Sequence, residues 1–66
     1  MILLRIGDVE AKTALDRVTI WRLERVGLFP RRRLVAGRTV RWIDSEIEEW
    51  IASLPAAKPP EIATAM

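Results

Sequence analysis

Cysteine and histidine are both absent from these 66 residues. Without cysteine the chain can form no disulfide and offers no thiolate to a metal. Without histidine it lacks the usual general base, the commonest metal ligand and the side chain that titrates near neutrality. Ser45 and Ser53 therefore have no imidazole to activate them. The three glycines are scattered, so there is no phosphate-cradling loop, and no acids fall at calcium-loop spacing. The expectation is a protein that is not an enzyme and uses no cofactor, metal or small-molecule substrate. Long apolar runs are missing too: the longest, Met1 to Leu4, is cut by Arg5. That is too short for a membrane span or for the apolar segment of a signal peptide. The expected setting is the cytoplasm, with no membrane partner.

What the chain does have is arginine, unevenly placed. Nine of the eleven basic residues are arginine, and the formal net charge of +2 conceals where they lie. Residues 17–41 hold Arg17, Arg22, Arg25, Arg31, Arg32, Arg33, Arg38 and Arg41 against Glu24 alone, a net +7. The flanks are acidic, at −1 for residues 1–16 and −4 for residues 42–66. Solvated surfaces usually mix both signs, so a block of one sign marks a polyanion-binding face. Arginine's planar fork matches phosphates and guanine edges better than lysine's point charge does. With 50% hydrophobic and 30% charged residues the composition is globular, and the length allows one small domain.

Periodicity places three helices and a hairpin. Gly7 or Asp8 can open a first helix that runs to about Thr13, with Asp8 and Glu10 where the helix dipole favours acids. Asp16 is a good N-cap for a second helix, Arg17 to Val26, which Gly27 and Pro30 end. Two short helices about three residues apart have helix-turn-helix spacing. Arg31–Val35 and Arg38–Ile43 read as strands about Ala36-Gly37, with Gly37 supplying a positive φ. Val35, Val40 and Trp42 would face inward, Thr39 and Arg41 outward, and Ile2 to Arg5 can add a short strand. Asp44 or Ser45 caps a third helix to Leu54, and Ser45-Glu46-Ile47-Glu48 has capping-box form. Ile47, Trp50, Ile51 and Leu54 make one apolar stripe; Glu46, Glu48 and Glu49 cover an acidic back, expected to face away from the basic surface. The fold class is small α+β, mainly helical: a winged helix-turn-helix over residues 2–54, then a flexible tail over 55–66.

On the second helix, Ile20 and Leu23 take the core side, while Val18, Arg22 and Arg25 lie opposite, flanked by Arg17 and Trp21. Such a face suits the major groove of double-stranded DNA. Arg22 can hold guanine O6 and N7, and Val18 can touch a thymine methyl. Thr19 and the backbone N–H groups at the helix start can hold a phosphate. Trp21, at the edge of that face, is either a core residue or one lying along the sugar-phosphate backbone; Trp42 and Trp50 belong to the core. Arg38 projects from the hairpin tip and fits a narrow minor groove, and Arg41 joins it on the wing. Arg31, Arg32 and Arg33 are expected to contact phosphates. One helix reads few base pairs, so copies are expected to bind cooperatively, the acidic back of one against the basic hairpin of the next. An interaction module for an acidic protein is the alternative from another class.

The stretch Leu4-Arg5-Ile6, then Thr13-Ala14-Leu15-Asp16-Arg17-Val18-Thr19-Ile20-Trp21-Arg22-Leu23, resembles the AlpA family of prophage regulators. Gly27-Leu28-Phe29-Pro30, Gly37-Arg38-Thr39-Val40-Arg41-Trp42 and Ser45-Glu46-Ile47-Glu48-Glu49-Trp50-Ile51 continue it in order. The resemblance implies a MerR-like winged helix-turn-helix that binds DNA on the bacterial nucleoid. By analogy, Arg17, Thr19, Trp21 and Arg22 take recognition-helix positions, with Trp21 in place of a frequent tyrosine, and Arg38 takes the wing tip. Two outputs share this domain: transcriptional regulation, and excision, in which copies bend attachment-site DNA beside an integrase. Two positions depart from the family pattern. Ala14 stands where glycine is usual, so either the helix end is reshaped or alanine bears a left-handed cost of about 1 kcal/mol. Asp16 replaces a common serine and sets a negative charge close to DNA.

Overall fold

A computed structural model of the chain describes residues 2–57. In chain order the elements are β1 (Leu3–Leu4), α1 (Ile6–Thr13), α2 (Arg17–Arg25), β2 (Arg33–Val35), β3 (Thr39–Ile43) and α3 (Asp44–Ala52). The strands form one antiparallel sheet in the order β1-β3-β2. Leu3 lies opposite Ile43 and Leu4 opposite Trp42, so the first residues do add a strand. Helix, turn, helix, hairpin, helix is a small α+β winged-helix fold. Of the expected tail, residues 58–66 lie outside the described residues. No helix among the described residues is long and apolar enough to cross a membrane.

Local chemistry explains each helix end. Helix α1 starts at Ile6, because the Arg5 N–H donates to Asp8 Oδ2 at 3.0 Å and Asp8 thereby reaches back over the first turn. It ends at Ala14, which is left-handed at φ 60 and ψ 21 and gives its N–H to the Glu10 carbonyl at 2.8 Å. Alanine thus takes the conformation glycine would adopt, and the helix end is not reshaped. Asp16 caps α2 as expected: its Oδ1 accepts the Thr19 N–H at 2.7 Å. Gly27, at φ 77, closes α2 in a Schellman motif, with Leu28 N–H to Leu23 O at 2.8 Å and Gly27 N–H to Glu24 O at 3.1 Å.

Two expectations are corrected. The register sets Leu34 opposite Val40 and Val35 opposite Thr39, so Val35 shares the face of Thr39 rather than that of Val40 and Trp42. The three-residue loop Ala36–Arg38 fixes this pairing, and the arginine run ahead of it carries no alternation from which to read it. The Ser45-to-Glu48 capping box does not form either. Strand β3 runs straight into α3 with Ile43 at the N-cap, the Asp44 N–H goes to the Ile2 carbonyl at 2.9 Å, and Glu48 is held by Lys12.

The core takes one side chain from almost every segment: Leu4, Val9, Ile20, Phe29, Trp42 and Ile47 are buried. Full burial of an isoleucine such as Ile20 or Ile47 contributes about 1.5–3 kcal/mol. Trp50 packs half-buried against this cluster, its ring tilted on Phe29 at 4.6 Å. Its indole N–H reaches the Leu28 carbonyl at 2.8 Å, fixing the link between α2 and the hairpin to α3. Lys12 ties α1 to α3 through Asp44 and Glu48.

Candidate nucleic-acid interface

Helix α2 turns Ile20 inward, with Leu23 half-buried beside it, and leaves Val18, Trp21, Arg22 and Arg25 exposed. Trp21 is therefore a surface residue, 49% exposed. The Arg25 guanidinium lies 4.7 Å from its ring centroid, a cation–π contact along the outer face. Arg17, at the helix start, pairs with Glu10 (Nη2 to Oε1, 3.2 Å).

Two of the backbone donors at the start of α2 are already taken. The Arg17 N–H is taken by Glu10 Oε2 at 2.8 Å and the Thr19 N–H by Asp16. Two carboxylates thus hold two of the donors expected to meet a phosphate, and Thr19 does not offer its backbone N–H there. That hydrogen bond from Thr19 also holds the Asp16 carboxyl below the usual aspartate range.

The hairpin divides the arginine run. Arg31 is exposed and makes no ion pair among the described residues. Arg32 turns toward α2: its Nη2 meets Glu24 Oε1 at 2.6 Å, its Nε the same oxygen at 3.0 Å, and its backbone N–H meets Oε2 at 2.9 Å. Its guanidinium also lies 5.4 Å from the Trp42 ring centroid. Arg33 pairs with Glu46 of α3 at 2.6 Å. Of the three arginines expected to contact phosphates, Arg31 makes no ion pair among the described residues, whereas Arg32 and Arg33 are each paired with a glutamate that braces the wing. The acidic back is likewise not wholly turned away, since Glu46 serves the wing and Glu48 serves Lys12. Arg38 stands exposed in the loop, where Ala36 (φ 55) and Gly37 (φ 81) make the positive-φ reversal. Arg41 is half-buried, and its Nη1 donates to the Val40 carbonyl at 2.7 Å.

Between α2 and β3 lies a groove of about 650 Å³. Ile6, Val18, Trp21, Val40 and Trp42 give it an apolar lining, and Arg5, Arg17, Arg32 and Arg41 also line it. Sequence reasoning missed two of the residues that shape this surface. Arg5 sits in an acidic segment and joins the groove only because β1 pairs with β3. Glu24 did carry a signal: it is the one acid in the basic block, as expected of a residue that answers an arginine inside the fold.

A helix-turn-helix with an arginine-bearing hairpin beside it defines a small winged helix-turn-helix protein. The chain belongs to the family described as Prophage CP4-57 regulatory protein (AlpA), whose model matches residues 2–54. It is 36% identical over 55 residues to "Uncharacterized protein ORF88" of Enterobacteria phage P4. That match covers 83% of this chain and 62% of the relative, so the chain spans about three-fifths of the relative's length.

Proposed function

We propose that this protein is a cytoplasmic, sequence-specific double-stranded DNA-binding regulator of a prophage, with α2 in the major groove and the arginine-tipped wing on the minor groove. One observation carries the reading. The exposed face of α2 (Val18, Trp21, Arg22, Arg25) has no carboxylate paired to it among the described residues, and Arg31 and Arg38 extend the same charge into the hairpin. Arg22, in the middle of that face, is the base reader; Val18 and Trp21 supply apolar contact. Arg25, Arg31, Arg38 and Arg41 supply attraction to the backbone and grooves. Arg17 contributes charge that Glu10 partly offsets.

The family's regulatory description supports transcriptional control over excision beside an integrase. Self-association along DNA fits a single short recognition helix, but among the described residues only Glu49 of the α3 glutamates is without an ion pair to offer a neighbour's wing. Selection from a random duplex pool tests the reading. A recovered consensus, bound well above scrambled DNA, supports it. Enrichment of no sequence, with equal attraction to any polyanion, contradicts it and favours an acidic protein as partner.

A further inference from the structure

One residue that lines the groove between α2 and β3 carries a donor without an acceptor. Trp42 is 2% exposed and has an indole Nε1 with no hydrogen-bond partner among the described residues, whereas Trp50 gives its own to the Leu28 carbonyl. Buried polar groups are nearly always satisfied, so an orphan N–H beside a binding surface points to a ligand acceptor. Four arginines and no acid line the groove, and the rest of its lining is apolar. It therefore suits a ligand that is anionic along one edge and apolar along the next.

Resting on the DNA-binding reading, we infer that this groove seats one DNA strand's backbone, with the Trp42 indole N–H donating to a phosphate oxygen. Deoxyribose offers C–H edges to Val18 and Val40, and the phosphates beside it offer charge to the arginines. A strand passing from the major groove along α2 to the minor groove under the hairpin crosses between these two elements. Arg32 and Arg17 are held by Glu24 and Glu10. Arg41 donates only to its neighbour's carbonyl, and the Arg5 side chain makes no hydrogen bond among the described residues, so these two turn to the phosphate. Nε1 is closed to solvent in the free protein, so the strand must open the groove wall to meet it.

The test uses the full chain, short enough for total synthesis. The indole N–H signals of Trp21, Trp42 and Trp50 are followed by NMR during titration with a selected duplex. In parallel, Trp42 is replaced by 3-benzothienylalanine, which keeps the ring shape and removes the N–H. The Trp42 signal should move downfield on the duplex and stay in place with inorganic phosphate alone. The isostere should lose about tenfold in affinity, as for a hydrogen bond to a charged group, with a melting temperature no lower than that of the parent. A duplex that binds while the Trp42 signal stays put and the isostere binds equally overturns the groove assignment alone. A Trp42 signal that moves as far with inorganic phosphate as with duplex also overturns it, in favour of a free anion. A chain that binds no duplex overturns this inference and the DNA-binding reading together.

Discussion

Glu24 of α2, a glutamate only 5% exposed, is clasped by Arg32 of the hairpin. The Arg32 guanidinium donates to Oε1 at 2.6 and 3.0 Å and its backbone N–H to Oε2 at 2.9 Å, with the guanidinium 5.4 Å from the Trp42 ring centroid. This pair ties the proposed reading helix to the wing. Its geometry fixes how far the two stand apart, so the spacing of major- and minor-groove contacts rests on it.

Arg32→Ala should therefore act through folding. It leaves the Glu24 carboxylate buried without its cation and should cost about 2–3 kcal/mol, below the full value for a buried pair because Arg32 is 41% exposed. In a domain this small that approaches the whole stability. Urea unfolding followed by circular dichroism measures it; a loss under about 0.5 kcal/mol would mean that the clasp does not hold the wing.

How much of this was legible depended on whether the signal was local. Asp16 and Gly27 acted at their own positions, and both helix ends followed from residue type. The stripe on α2 separated Ile20 from Arg22 because helical period is a strong local pattern. Pairings across the chain were not legible. Arg31, Arg32 and Arg33 look alike in sequence, and only tertiary approach of Glu24 and Glu46 divides them. Glu48 fitted a capping box, yet Lys12, 36 residues away, claimed its carboxylate. Arg5 entered the groove for the same long-range reason.

Ala14 carries left-handed strain at φ 60. Ala14→Gly should stabilise the protein by about 0.5–1 kcal/mol, the relief of the Cβ clash exceeding glycine's extra chain entropy. Thermal melting should show a rise of a few degrees with DNA affinity unchanged. A fall in melting temperature would contradict the strain.

Two exposed charges shape stability against pH in opposite directions. Asp16 titrates below its ordinary 3.8 because the Thr19 N–H binds its charged form. Its contribution is present above that ordinary value and disappears as pH falls through the lower folded value. Lys12 titrates above 10.5 because Asp44 and Glu48 bind its charged form. Its contribution is present below 10.5 and disappears as pH rises through the higher folded value. Asp16→Asn should flatten the acid limb of unfolding free energy against pH, and Lys12→Met the alkaline limb. Unchanged limbs would show that neither contact matters.

Arg38 stands at the loop tip with no ion pair among the described residues. Arg38→Ala should weaken binding most on duplexes with an A·T tract beneath the wing, where the narrow minor groove concentrates negative potential. Comparing A·T and G·C substitutions outside the consensus by anisotropy reads this out. An equal loss on both would make Arg38 a general phosphate contact.

The central claim is that α2 reads sequence while the wing supplies attraction, and Arg22 and Arg31 separate the two. The measurement is fluorescence anisotropy of Arg22→Ala and Arg31→Ala on selected and scrambled duplexes across a salt series. Arg22→Ala should cost about 1–3 kcal/mol on the selected site and far less on the scrambled one. Arg31→Ala, exposed and unpaired, should weaken both about equally and reduce the salt slope by about one. If Arg22→Ala instead lowers both affinities alike, α2 is not the reader and the account is wrong at its centre.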